Sequence, residues 1–176
     1  LMLEFLLGGG ETSRLHQRLV RKDALTLSVG VDYTSIAREP RLFYIFAQVA
    51  PGKKTDQVEK VIEEEINLLI EKGISEKELK RSLRGLEART VFAMDSHFFR
   101  AMLLGRAHIA GDWRQLERYL PDIAEVTTDD VIRVAKKYLK RKNRTTAILV
   151  PIPPSDGKTP PSARGPAGDN SGRGRR

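Results

Sequence analysis

The spacing of apolar residues changes from strand periodicity to helical periodicity near residue 55, and this change limits the fold more than any other feature. Residues 25–33 alternate polar and apolar side chains, and residues 42–49 are rich in aromatic and branched side chains, so both are predicted strands. Helical spacing then begins at Thr55 and recurs to about residue 139, and the apolar run 145–150 predicts a third strand. This order predicts an α+β fold with an antiparallel or mixed sheet and helices packed on one face.

The same spacing predicts which side chains face the core. In the first strand, one face holds Leu27, Val29, Val31 and Tyr33, and the other holds the polar residues. In the last helix, the inward residues are Val131, Val134, Ala135 and Tyr138.

Helix ends follow from capping residues and glycines. Residues 1–7 are predicted to be the end of a helix, which Gly8, Gly9 and Gly10 stop. Thr12 or Ser13 is predicted to cap a second helix over residues 14–21. A capping box is predicted at residues 75–78, and residues 127–130 are predicted to cap the last helix.

Composition divides the chain into residues 1–152, a domain, and residues 153–176, a Pro-, Gly- and Arg-rich tail predicted to be disordered. Three strands are few for a stable sheet, and the first helix lacks a recognisable start. We therefore expect a partial domain that is truncated at its N-terminus.

The net charge of +8 raises the question of nucleic-acid binding. The tail supplies three of these charges, since its five basic residues accompany two acidic ones. The densest remaining cluster, residues 136–142, ends a predicted helix, where cations favour the helix dipole. We therefore expect no nucleic-acid partner, and no apolar run is long enough to predict a membrane span.

Residues that could perform chemistry are few. The chain has no cysteine, and His16, His97 and His108 lie in neither His-Glu-x-x-His nor His-x-x-Glu-His. The glycine stretch 8–10 lacks the lysine of a P-loop. Residues 95–97 read Asp-Ser-His, but sequence neighbours rarely form a catalytic triad. No catalytic residue, metal ligand or cofactor is therefore predicted in this chain.

Several segments together are similar to one enzyme family. These are residues 6–15 (Leu-Leu-Gly-Gly-Gly-Glu-Thr-Ser-Arg-Leu), 19–22, 25–30, 73–79, 126–131 and 143–145. They resemble the C-terminal, non-catalytic half-domain of pitrilysin/insulinase-type zinc metallopeptidases, a group that includes the mitochondrial processing peptidases. The resemblance covers roughly residues 1–150, and the glycine stretch followed by Ser13, Arg14 and Leu15 is its most specific part.

The resemblance implies a division of labour between two half-domains. The other half, upstream in the same chain or in a partner subunit, would carry His-x-x-Glu-His, bind zinc and cut peptides. This half would be inactive alone, enclose the chamber and help to bind the peptide substrate. The substrate-binding residues that the resemblance implies are Gly8, Gly9, Gly10, Thr12, Ser13, Arg14 and Arg21.

The chain departs from the family at one pair of positions. Many active members carry an arginine and a tyrosine seven residues apart, where this chain has Val20 and Leu27. Arg18 and Arg21 are the candidates to replace the arginine. A catalytically silent scaffold homologue is therefore one alternative. A basic nucleic-acid-binding module, motivated only by the net charge, is a less favoured one. The compartment stays open between bacterial periplasm and cytoplasm.

Overall fold

The computed structural model describes residues 1–151. A compact unit spans residues 1–145, and a second unit begins at Thr146. The elements are α1 (Met2–Gly8), a π-helix (His16–Lys22), β1 (Thr26–Asp32), β2 (Tyr44–Val49), α2 (Thr55–Lys72), α3 (Glu76–Met94), α4 (His97–Ala110), α5 (Gln115–Ala124), α6 (Thr128–Tyr138) and a 3₁₀ turn (Arg141–Asn143). The predicted tail, residues 153–176, lies outside the described residues.

The sheet consists of β1 and β2, paired antiparallel, with Val31 opposite Ile45. One face packs on the core under α1 and the π-helix, while the other carries exposed side chains such as Tyr44 and Phe46. The predicted α+β class, with helices on one face of an antiparallel sheet, is therefore confirmed.

A β-bulge changes the predicted faces of β1. The register shifts between Thr26 and Ser28. The extra residue reverses the alternation, so Thr26 is 4% exposed and Leu27 is 57% exposed. The prediction that Leu27 shares the inner face with Val29 and Val31 is wrong for this reason.

The predicted third strand is also wrong, since residues 145–151 form no strand in the described part of the chain. Within that part, β1 and β2 pair only with each other. A strand exists only where its backbone groups pair with a neighbouring strand, and residues 145–150 make no such pairing in the described part of the chain.

The core combines buried side chains from α1, the π-helix, β1, α2, α3 and α6. Its largest fully buried side chains are Leu7, Leu15, Leu19 and Leu69. Burying each leucine contributes about 1.5–3 kcal/mol. The core therefore fixes the position of both ends of the connection between α1 and the π-helix.

Two predicted helix caps are confirmed. Ser75 Oγ accepts a hydrogen bond from the amide of Glu78, and Thr127 Oγ1 accepts one from the amide of Asp130, each at 3.2 Å. The carboxylate of Glu78 binds Arg14, so the box at Ser75 is only half made. At the C-terminal end of α6, Tyr138 is 56% exposed, which contradicts its predicted burial because it ends the helix beyond the buried stripe.

Among the described residues, no helix has the length and apolar character needed to cross a membrane.

Ala24, between the π-helix and β1, has a φ of +47°. This left-handed conformation costs a non-glycine residue roughly 1–2 kcal/mol. We expect Ala24→Gly to raise the free energy of unfolding by about 0.5–1 kcal/mol, after the larger entropy of glycine in the unfolded chain is subtracted. Chemical denaturation measures the change.

The matched control is Ala88→Gly at an exposed site inside α3, which should lower the stability by about 0.5–1 kcal/mol. Equal losses at both positions would show that the backbone at Ala24 is not strained.

Candidate functional site

Residues 8–13, which run from the last residue of α1 toward the π-helix, are here called the glycine loop. A Cβ atom on Gly8 would lie 2.6 Å from the backbone nitrogen of Val31, and one on Gly9 would lie 2.7 Å from the carbonyl oxygen of Phe5. Gly10 has a φ of +141° and no heavy atom within 4 Å of its Cβ position. Gly8 and Gly9 therefore permit close packing, and Gly10 permits a turn that faces open space.

Residues of the π-helix and its start hold the glycine loop in shape. Ser13 Oγ donates to the carbonyl of Gly10 at 2.6 Å, and Gln17 Nε2 donates to the carbonyl of Glu11 at 2.6 Å. A guanidinium nitrogen of Arg21 lies 3.0 Å from Glu11 Oε2. These bonds leave the apex, residues 10–12, exposed while Ser13 is buried.

The predicted cap of the second helix is not formed in the expected way. The hydroxyl of Ser13 bonds backward to Gly10 instead of forward to a helix amide. The residue that precedes the π-helix, Leu15, has helical angles and no side-chain cap. Ser13 therefore shapes the loop.

Arg14 anchors the base of the glycine loop to the turn between α2 and α3. Its Nε and one terminal nitrogen donate to both carboxylate oxygens of Glu78 at 2.7 and 2.8 Å, and the same terminal nitrogen donates to the carbonyl of Gly73 at 3.1 Å. The hydrogen bonds from Arg14 hold the pKa of Glu78 below its usual range. This two-pronged geometry joins segments that are 64 residues apart.

The two arginines that could replace the family's arginine differ in their surroundings. Arg18 contacts Asp23, Glu64 and Glu65 at 2.6, 3.3 and 3.6 Å. Arg21 is 61% exposed and pairs with the exposed Glu11. Arg21 is thus better placed to reach a ligand at the loop apex.

A small cavity lies beneath the glycine loop. It is lined by residues that include Gly9, Thr12, Ser13 and Glu78, and its volume is about 20 Å³. That is room for about one water molecule. The cavity is therefore too small to hold a peptide.

Sequence reasoning missed the π-helix. The amide of Asp23 donates to the carbonyl of Arg18 at 2.9 Å, an i to i−5 bond. π-Helical turns occur frequently at functional sites. The apolar spacing of residues 14–21 is compatible with an ordinary helix and carries no signal of the wider turn.

The donor set for a metal ion is missing from the described residues. Within residues 1–151, no group of three or more His, Asp or Glu side chains could hold a metal. His16 lies in the π-helix, while His97 and His108 lie at opposite ends of α4. These residues do not fit a zinc site of the kind that the family resemblance assigns to the other half.

Comparison with known proteins finds similarity to zinc proteases and to their inactive domains. A family model described as the peptidase M16 inactive domain matches residues 1–86. An uncharacterized zinc protease of Streptomyces coelicolor is 31% identical over 148 residues, which are 84% of this chain and 32% of that protein. The zinc protease PqqE of Helicobacter pylori is 26% identical over 149 residues, 85% of this chain and 33% of that protein.

Solved structures agree with the sequence comparisons. The inactive peptidase domain of a predicted zinc protease from Bordetella parapertussis has a TM-score of 0.76 and 25% identity, over 86% of this chain and 81% of that one. The crystal structure of a protein described as a zinc protease from Bordetella pertussis has a TM-score of 0.74 and 26% identity. The match covers 86% of this chain and 82% of that one. The chain spans about a third of the length of the curated relatives it matches.

Proposed function

Since this chain belongs to the peptidase M16 inactive-domain family, we propose that it helps to hold a peptide in the chamber of a zinc peptidase. The zinc and the bond-breaking residues would belong to a separate half that carries His-x-x-Glu-His. The contribution of this chain would be to enclose the peptide and bind it.

The observation that carries the proposal is the glycine loop with its exposed apex. Gly10 leaves the backbone of the apex open to a ligand, since no heavy atom lies within 4 Å of its Cβ position. The hydrogen bonds from Ser13 and Gln17 to loop carbonyls order the apex before any peptide arrives. A loop that is already ordered loses less entropy on binding than a flexible one.

The substrate-binding residues implied by the family resemblance take different parts in this proposal. Gly10, Thr12 and Arg21 present groups at the exposed apex, and peptide contact is assigned to them. Gly8, Gly9, Ser13 and Arg14 position the loop, because their contacts lie within the domain.

The test is a bulky residue at the apex. Glu11→Trp places a bulky indole at the exposed apex, so we expect kcat/KM for an unstructured peptide to fall about tenfold or more when this chain is combined with its catalytic half. The thermal midpoint should change little, because the Glu11–Arg21 pair is exposed and contributes at most about 1 kcal/mol. Peptide cleavage and thermal unfolding are measured on the same preparations.

The matched control is Glu87→Trp, which replaces another exposed glutamate on α3. It should leave kcat/KM unchanged. Equal activity of both variants and the unaltered protein would remove the apex from the peptide-binding surface and favour the scaffold alternative, which the Val20 and Leu27 positions already motivate.

A further inference from the structure

A cleft of about 430 Å³ opens between α1, the paired strands and α3, and residues 10–12 of the glycine loop are not part of its lining. Its lining includes Glu4 from α1, Asp32 from β1, Tyr44 and Phe46 from β2, and Arg89 from α3. The volume is far larger than one water molecule needs and falls in the range of ligand-binding clefts.

The unusual member of this lining is Glu4. The residue is 7% exposed, and its Oε2 atom has no hydrogen-bond partner among the described residues. A buried carboxylate without its full set of partners is costly. Burial accordingly raises the pKa of Glu4.

The charges around Glu4 compensate it weakly. The nearest side-chain cation, Arg89, lies 4.0 Å from Oε1 and is 67% exposed, so it forms a loose ion pair. Asp32 adds a second carboxylate to the cleft lining.

The walls of the cleft favour a flat organic cation. Tyr44 and Phe46 are 54% and 59% exposed, and the ring of Phe46 lies against Gly30 on the outer face of the sheet. Aromatic faces attract cations, and a guanidinium can stack on them while it hydrogen-bonds to a carboxylate. A metal ion is a poorer match, because the described residues offer no group of three metal-binding side chains.

We propose that this cleft binds the guanidinium of an arginine side chain, with Glu4 and Asp32 supplying the negative charge and Tyr44 and Phe46 the stacking surface. Arg89 lies loosely against Glu4 and would be displaced by the ligand. The inference rests on the proposed function in assigning the arginine to a peptide substrate.

The experiment titrates the 176-residue chain with a short capped peptide that has one central arginine, and with the same peptide carrying citrulline. Citrulline keeps the shape of arginine and lacks its charge. We expect backbone amide shifts at Asp32, Tyr44 and Phe46 with the arginine peptide, and binding at least about tenfold weaker with citrulline. Equal affinities for the two peptides would overturn the proposal.

Two substitutions should act in opposite directions. Glu4→Gln should weaken arginine-peptide binding about tenfold, and Arg89→Gln should tighten it a few-fold because the competing guanidinium is gone. Glu87→Gln on the exposed face of α3 is the control and should leave the affinity unchanged. If Glu4→Gln and Arg89→Gln both bind as the unaltered chain does, Glu4 and Arg89 form only an internal ion pair and the proposal fails.

Asp32→Asn is a second test of the cleft at an exposed position. It should weaken arginine-peptide binding a few-fold, even if Glu4→Gln lowers the yield of folded protein. None of these measurements requires cleavage. Failure here therefore leaves the loop-apex test intact, and failure of Glu11→Trp to reduce cleavage leaves the arginine titration intact.

Discussion

Replacing Gly9 by alanine is expected to lower the free energy of unfolding by roughly 2–3 kcal/mol. The new Cβ atom would lie 2.7 Å from both the Cα atom and the carbonyl oxygen of Phe5. Backbone atoms of a packed helix cannot move aside as the end of a side chain can, so α1 or the glycine loop must shift. Denaturant unfolding of the purified chain measures the loss.

Gly105→Ala is the matched control for this substitution. Gly105 lies inside α4, and its Cβ position has no heavy atom within 4 Å. The alanine should stabilise the chain by about 0.5–1 kcal/mol, since glycine is unfavourable within helices. A Gly9→Ala chain as stable as the unaltered one would show that the loop does not pack closely on Phe5.

The close packing of Gly9 also limits what a loop variant can show about peptide binding. A substitution there is expected to damage folding whether or not the loop touches a peptide. Activity lost on changing Gly9 is therefore no evidence of substrate contact. This is why the proposed function is tested at the exposed Glu11.

Replacing Arg14 by glutamine is expected to lower the free energy of unfolding by about 3 kcal/mol. The substitution leaves the carboxylate of Glu78, whose side chain is 17% exposed, without its guanidinium, and it removes a donor from the carbonyl of Gly73. Arg14→Lys keeps the charge but cannot bridge both oxygens in the same plane, so its loss should be smaller. Thermal and denaturant unfolding report both changes.

Arg118→Gln is the control for Arg14, because it breaks an exposed ion pair with Asp122 within α5. Arg118→Gln should lower the free energy of unfolding by no more than about 0.5 kcal/mol. Similar losses for Arg14→Gln and Arg118→Gln would mean that the link between the glycine loop and the α2–α3 turn contributes little.

The contribution of Arg14 to the stability of the fold should also depend on pH. Because its hydrogen bonds lower the pKa of folded Glu78, the stabilisation is complete above the ordinary glutamate pKa and is lost as the pH falls through the lowered value. The stability difference between the unaltered chain and Arg14→Gln should therefore shrink below about pH 4. A difference that stays constant from pH 7 to pH 3 would contradict this origin.

The sequence by itself determined the order and type of most elements. The apolar stripe of α2, the caps at Ser75 and Thr127, and the strand positions of β1 and β2 depend on residues within a few positions of one another. The glycine stretch also pointed to the family, since its run of Gly, Ser, Arg and Leu is specific. Local spacing and local hydrogen bonds are enough to establish such features.

Only the tertiary structure decided what the individual residues of the loop do. Gly8 and Gly9 differ from Gly10 because Val31 and Phe5 pack against the first two and nothing packs against the third. The pairing of Arg14 with Glu78 joins residues 64 positions apart. No local pattern encodes which distant segments meet, because that is set by packing of the whole core.

The same reason explains the sequence predictions that were wrong. Leu27 is exposed because a bulge forms where β1 meets β2. Residues 145–150 form no strand because a strand requires pairing with a distant segment, and an apolar run alone does not encode that pairing. Glu4 lies at position 4 of an otherwise apolar helix, and only the approach of Asp32 and Arg89 from other elements shows that it lines a cleft.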